Sequence, residues 1–317
     1  MSNNVEVLLV GTGNMGKEYC KVLKAQKVSH VAVGRSEEKA QQFQKDMGVV
    51  VISGGVTGAM KALENIPTMA IVAVSVDQLK DVSIELIQAG VKRILVEKPA
   101  GMCREDISEL NALANEKNVS IFVAYNRRYY ASTDKALEII EQDGGVTSFS
   151  FEFTEWGHVI EKTTHSPKVK DIWFLANSTH IADLAFYLGG YPREMATYVG
   201  GELDWHQRAA IYAGAGISEK GALFSYQANW AAPGRWAVEI LTNKHRLYFK
   251  PIEQLAIQNI GSVAVESVEL DDSLDKEFKP GLYKEVKAFI SDCDDGKRIT
   301  LQEHLEHIEV YEKMERL

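Results

Sequence analysis

Cysteine is scarce in this 317-residue chain: Cys20, Cys103 and Cys293 form an odd, widely spaced set with no CxxC pair. That spacing speaks against a disulfide framework and for a reducing cytosol. A basic surplus is missing too. With 35 Lys and Arg against 44 Asp and Glu, the formal charge is −9, the wrong sign for a general nucleic-acid or anionic-membrane binder. No apolar stretch approaches the ~20 residues needed to span a bilayer. The run Val5–Val10 near the amino terminus is short and has no basic region before it, unlike a secretory leader. The expectation is a soluble, cytoplasmic protein with no nucleic-acid or membrane partner.

What is present suits two ordinary globular domains, with 45% hydrophobic and 25% charged residues. Up to Tyr125 the chain alternates strand-like and helix-like segments. Strands are expected at 5–10, 28–34, 49–52, 69–74, 94–97 and 119–125, with helical stretches between them. Such alternation implies βαβ units and a parallel sheet with helices on both faces. From Val146 the pattern becomes period-two, with strands expected at 148–153, 194–199, 209–212, 222–230, 236–241, 246–249 and 262–268, and closing helices at 282–291 and 301–316. The predicted architecture is α/β. A doubly wound Rossmann domain (1–124) precedes an α+β domain (125–317) with a large, mainly antiparallel open sheet.

Gly11-Thr12-Gly13-Asn14-Met15-Gly16 lies between the first strand and the first helix, the context that gives GxGxxG its meaning. Gly11 permits the tight turn, Gly13 lets backbone approach a pyrophosphate, and Gly16 lets the helix pack on the strand. The helix amino terminus offers N–H groups to the anion. An NAD site usually carries a carboxylate about 20 residues further on. Here Gly34-Arg35-Ser36 occupies that place, and no carboxylate comes before Glu37. Arg35 can pair with the 2′-phosphate of NADP and Ser36 can donate to it, so NADP is the preferred cofactor. Arg35 stacked over adenine, tolerating NAD as well, is the other reading.

Two further stretches bear on chemistry. Glu97-Lys98-Pro99 closes the fifth strand, and the proline keeps the preceding residue out of the helical region. Lys98 thereby falls at a strand's carboxyl end, where open α/β sheets bind ligands. In the second half, Asn177-Ser178-Thr179-His180-Ile181-Ala182-Asp183 opens a helix that stops at Gly189-Gly190, with Asn177 or Ser178 as expected N-cap. A first-turn His180 is disfavoured as a cation by the helix dipole and can accept a hydroxyl proton. Asp183, one turn on, is positioned to hold its other ring nitrogen.

The order of these motifs, GTGNMG, EKP, Tyr125-Asn126-Arg127-Arg128-Tyr129 and the NSTHIADLAFYLGG helix, with Gly234-Arg235-Trp236 to Pro251-Ile252-Glu253 after them, resembles the Gfo/Idh/MocA family of sugar and polyol oxidoreductases over essentially the whole chain. The resemblance implies Lys98, before a cis proline, and His180 as the catalytic pair of a hydride transfer between NAD(P) and a secondary alcohol or ketone. It implies cofactor contacts from Gly11 to Gly16, Gly34 to Ser36, Ser75, Glu97 and Lys98. Substrate contacts are implied for Asn126, Arg127, Tyr129, Trp173, Asn177 and Asp183, and the open sheet implies a homodimer or homotetramer. The substrate implied is a sugar, sugar derivative or nucleotide sugar. The chain departs from the pattern at Ala176, where many members carry Asp, at Leu79 in place of a frequent histidine, and at Ser75-Val76-Asp77, where a proline is often found. A non-catalytic NADP-sensing regulator and a reductase of an enamine, imine or bilin are the competing functions.

Lys162, Lys168 and Lys170 mark a basic loop in an acidic chain, readable either as a cap that attracts an anionic substrate or as a solvated segment. No metal site is expected. His304 and His307, among Glu303 and Glu306, read as an exposed amphipathic helix, and His158 and His165 lack a ligand set.

Overall fold

The computed structural model describes residues 5–316 and divides into two compact units. One runs to Asn126 and includes Glu277–Glu306; the other is Arg127–Lys276 with the residues from His307 on. The sequence pattern places everything after 124 in a single domain, whereas 277–306 return to the first unit. The reason is an apolar stripe. Leu282, Val286 and Phe289 on the helix Leu282–Ser291 are fully buried in one core with Tyr19 and Leu23 of the helix Asn14–Ala25.

The first unit is built on β1 (Val7–Val10), β2 (His30–Val33), β3 (Val51–Ile52), β4 (Met69–Val72), β5 (Arg93–Glu97) and β6 (Ser120–Ala124). Their order is β6-β5-β4-β1-β2-β3, all parallel, with the short strand Ile299–Thr300 added antiparallel outside β6. Val7, Leu8 and Leu9 are wholly inaccessible, as a strand covered on both faces requires. The winding reverses between β1 and β4, which opens a crevice at their carboxyl ends.

The second unit carries an eight-stranded sheet: β7 (Ser148–Glu152), β8 (Pro192–Gly200), β9 (Ile211–Ser218), β10 (Leu223–Asn229), β11 (Ala237–Leu241), β12 (His245–Phe249), β13 (Ala256–Asn259) and β14 (Glu266–Ser267). The order is β14-β13-β12-β11-β7-β10-β9-β8, antiparallel except for the β7–β10 pair. Period-two patterning puts Phe149 and Phe151 inward, the latter edge-on to Phe186 of the helix Thr179–Gly189 at 5.3 Å between ring centroids. The other face exposes Tyr198, Ile211 and Leu223.

Two strands depart from expectation. β9 continues to Ser218 through Gly214 and Gly216, because the Tyr226 and Phe224 rings of β10 fill the space that side chains would need there. Only Glu266–Ser267 of the stretch 262–268 is strand, since Val263 and Val265 point into solvent, and β13 forms upstream instead. The basic loop folds as two short helices, Gly157–Ile160 and Pro167–Asp171, the second capped by the Ser166 hydroxyl. No helix among the described residues is long and apolar enough to cross a membrane.

Candidate active site

The crevice above β1 and β4 is a cavity of about 590 Å³ in the first unit. Gly11 has φ +129°, and a Cβ there would run into the Ala73 carbonyl, so only glycine lets the turn lie against the end of β4. A Cβ on Gly16 would strike the Gly11 carbonyl, whereas nothing stands within 4 Å of the Gly13 position. Two glycines therefore close the turn and the third leaves its outer surface open. The helix Asn14–Ala25 that follows has no side-chain cap and no acidic residue in its first turn. Its amino end suits a pyrophosphate.

Gly11, Thr12, Gly13, Gly34, Arg35, Ser36 and Ser75 all line this cavity, as the sequence led one to expect. Asn14, Met15, Gly16, Glu97 and Lys98 are not among its lining residues. Lys39 also lines the cavity; its signal in the sequence is a cation three places after the Ser36 cap, one helical turn from Arg35. Glu37 does not line the cavity, and hydrogen bonds from Ser53 and Gln41 hold its carboxyl below the usual range. Beyond the end of β2 the cavity thus presents two cations, Arg35 and Lys39, and no carboxylate from that turn. The donor set fits an NAD(P) dinucleotide.

At the end of β5, Lys98 is 5% exposed and precedes a cis peptide bond to Pro99, as the resemblance implied. Its neighbours are tied down on both sides. The Tyr19 hydroxyl donates to Glu97 Oε1 at 2.8 Å. The buried His304 donates from Nε2 to the Pro99 carbonyl at 3.0 Å, leaving Nδ1 to accept from Tyr125. His304 is therefore a core residue beneath the Lys98 turn, not a member of an exposed face: its partners, just past the ends of β5 and β6, are far away in sequence. Asn126 Nδ2, expected at the substrate, donates to the Pro280 carbonyl at 2.9 Å.

In the second unit, the segment before His180 is not the cap that was expected. Phe174–Ser178 is a π-helical turn that runs straight into Thr179–Gly189, and Ser178 has helical φ and ψ. His180 consequently lies within a continuous helical stretch rather than at a free amino end, and the helix-dipole argument for its neutrality loses its basis. The Asn177 amide and the Ser178 hydroxyl instead donate to one oxygen of Glu155, at 2.8 and 2.7 Å. Glu155 is 2% exposed. It is a buried carboxylate that no sequence motif announced, beside the helix turn in which Ala176 replaces the family's frequent Asp.

Asp183 is fully buried, and its oxygens accept from Arg128 at 2.8 and 2.6 Å and from the Tyr191 hydroxyl at 2.9 Å. His307 stacks on Tyr191 with ring centroids 3.5 Å apart. Arg127 lies over the Trp236 ring, 5.1 Å from its centroid. Tyr129 is buried, and Trp173 contacts His165 and Trp205 edge-on, with no acceptor for its indole N–H among the described residues. Lys170 donates to the Glu161 carbonyl, while Lys162 and Lys168 are exposed. No group of three or more His, Cys, Asp or Glu among the described residues is arranged to hold a metal ion.

Comparison with known families agrees with the glycine turn. Residues 5–125 match the Gfo/Idh/MocA family model, described as an oxidoreductase family with an NAD-binding Rossmann fold. The match spans the glycine turn and all six parallel strands of the first sheet. The fold of the whole chain recurs in solved oxidoreductases. Levoglucosan dehydrogenase in complex with NADH and levoglucosan superposes with a TM-score of 0.79 at 16% identity, covering 98% of this chain and 96% of that one. An NAD-binding oxidoreductase from Klebsiella pneumoniae gives 0.78 at 14% identity, over 98% and 96%. UDP-N-acetylglucosamine 3-dehydrogenase GnnA from Acidithiobacillus ferrooxidans gives 0.74 at 14% identity, over 98% and 96%. No curated protein matches the sequence.

Proposed function

We propose that this Gfo/Idh/MocA-type protein is an NADP-preferring dehydrogenase or reductase of a secondary alcohol or ketone on a sugar, sugar derivative or nucleotide sugar. The observation that carries the reading is a buried lysine, Lys98, immediately beyond a strand whose sheet forms a dinucleotide cavity. A buried ammonium is worth its desolvation where negative charge develops, as on a carbinol oxygen losing its proton. The bound dinucleotide supplies the hydride acceptor or donor. Lys98 polarises the substrate oxygen and His180 exchanges its proton, the roles that the family resemblance assigns to them. Asn177 holds a substrate hydroxyl while Glu155 fixes the amide's orientation. Sugar substrates of dehydrogenases with the same fold, levoglucosan and UDP-N-acetylglucosamine, support the substrate class.

Arg35 and Lys39 are the proposed source of the NADP preference, and Tyr198, Ile211 and Leu223 on the outer sheet face the proposed site of self-association into a dimer or tetramer. A panel of sugars and nucleotide sugars, followed by absorbance of the reduced cofactor, tests the whole reading. Lys98→Ala is expected to lower kcat by ~10²- to 10⁴-fold with dinucleotide binding nearly intact. Simultaneous loss of binding and turnover would assign Lys98 a structural role, and no turnover of any sugar by the parent protein would favour the sensing or non-sugar alternatives.

A further inference from the structure

A second cavity, of about 630 Å³, lies wholly within the second unit, and neither His180 nor Asn177 lines it. Its walls are three indoles, Trp156, Trp205 and Trp230, and its polar groups include Glu161 and Asp204. Half of the Trp156 surface is exposed, an unusual investment for the largest apolar side chain. The indole orientations are fixed from behind. Trp156 Nε1 donates to the Gly234 carbonyl at 3.1 Å, and Trp230 Nε1 donates to the Phe153 carbonyl at 3.2 Å. Trp205 lies parallel to Trp230, 1° apart with centroids at 5.9 Å, and is braced edge-on by Trp173. With its N–H group spoken for, Trp156 offers π surface rather than a hydrogen-bonding edge, while the buried Trp230 backs the stacked Trp205.

Charge narrows the ligand. Two carboxylates facing one cavity repel phosphates and sugar acids. A cationic ligand is disfavoured as well, because the Arg235 guanidinium already lies over the Trp156 ring at 4.9 Å from its centroid. What remains is a neutral, flat-faced, hydroxyl-rich ring: its C–H face covers an indole, and its vicinal hydroxyls donate to carboxylates that can only accept.

We propose that the cavity walled by Trp156, Trp205 and Trp230 binds an uncharged pyranose ring, distinct from the group on which Lys98 and His180 act. For its sugar class the inference rests on the proposed function; its test does not depend on turnover. The full-length protein without cofactor would be titrated with methyl β-glucopyranoside, maltose, choline and glucose 6-phosphate, by calorimetry and by saturation-transfer NMR. Saturable binding of the neutral glycosides is expected, weakened at least about tenfold in Trp156→Ala and again reduced in Glu161→Gln and Asp204→Asn, with choline and glucose 6-phosphate inert. Circular dichroism identifies any variant that fails to fold, and the two carboxamide variants leave the apolar walls intact. Choline binding in preference to the glycosides, glycoside binding unchanged in all three variants, or no binding by the folded parent protein overturns the proposal. Sugar oxidation surviving any of those outcomes leaves the dehydrogenase reading in place.

Discussion

The glycine turn and the His180 helix are both candidate functional regions, and they obey different rules. At the turn, the constraint is steric and local: Gly11 and Gly16 sit where a Cβ would meet backbone, so the motif and its geometry are one statement. At the helix, the residues with N-cap chemistry do not cap. Asn177 and Ser178 spend their side chains on Glu155, and Asp183 spends its carboxylate on Arg128 and Tyr191. A short-range motif survives transfer from sequence to structure when backbone sterics enforce it. Side-chain chemistry is assigned by whichever partner the fold delivers.

That contrast is sharpest at the Arg128–Asp183 pair, which has no counterpart at the glycine turn. Arg128→Ala would leave a fully buried carboxylate without its counter-charge, at a cost of about 3–5 kcal/mol. Urea denaturation monitored by the fluorescence of the five tryptophans, all in the second unit, should show that unit's transition moved to lower urea. A loss under about 1 kcal/mol would mean that Asp183 remains well solvated or finds another partner, and would reopen its role at the substrate.

A smaller effect is expected on the cofactor side. Replacing Arg35 and Lys39 together by Ala should lower the NADP-over-NAD preference by ~10- to 100-fold, on the scale of charge-assisted hydrogen bonds, without changing stability. Fluorescence titration with the two reduced cofactors measures it. Equal weakening toward both cofactors would favour adenine stacking over phosphate pairing.

Smallest, and confined to the second unit, is a pair of opposed titrations. Burial, with the Arg128 charge behind it, pushes His307 down to about 3. Its unfolded form gains a proton near pH 6.5 while the folded form does not, so this group's contribution to stability is lost as pH falls from about 6.5 toward 3. Glu315 behaves in the opposite sense. Burial pushes it up to about 7, and Arg208, 3.8 Å from one oxygen, is too distant to offset that. The folded state keeps a proton that the unfolded state releases near pH 4.5, so its contribution is present at low pH and lost as pH rises through about 7. Between roughly pH 4.5 and 6.5 the two slopes oppose each other, each approaching ~1.4 kcal/mol per pH unit at most. Relative to the parent protein, Glu315→Gln should steepen the rise of stability with pH in this window, and His307→Gln should flatten it. Identical slopes in all three proteins would show that neither group is desolvated as its surroundings indicate.

Legibility followed the same division. The parallel character of the first sheet, the place of Arg35 and the turn carrying Lys98 are readable because each depends on neighbours within a few residues or on an apolar period. Lys39 is not legible as a cavity residue because a lysine in a helix's first turn is ordinary in sequence. The burial of His304 is not legible because the face of its helix that meets Pro99 and Tyr125 carries no distinguishing pattern.

By itself, the amino-acid sequence determined the strand–helix alternation, the glycine turn, the absence of a carboxylate at the end of β2, and the switch to a period-two sheet, because backbone sterics and hydrophobic periodicity act over short spans. Only the tertiary structure decided that 277–306 complete the first unit, that Glu155 stands beside the helix turn carrying Ala176, that Asp183 belongs to Arg128, and that three separated tryptophans wall one cavity. Those outcomes depend on which distant side chains are desolvated together, and buried charge and hydrogen-bonding capacity must then be matched wherever the chain has brought them.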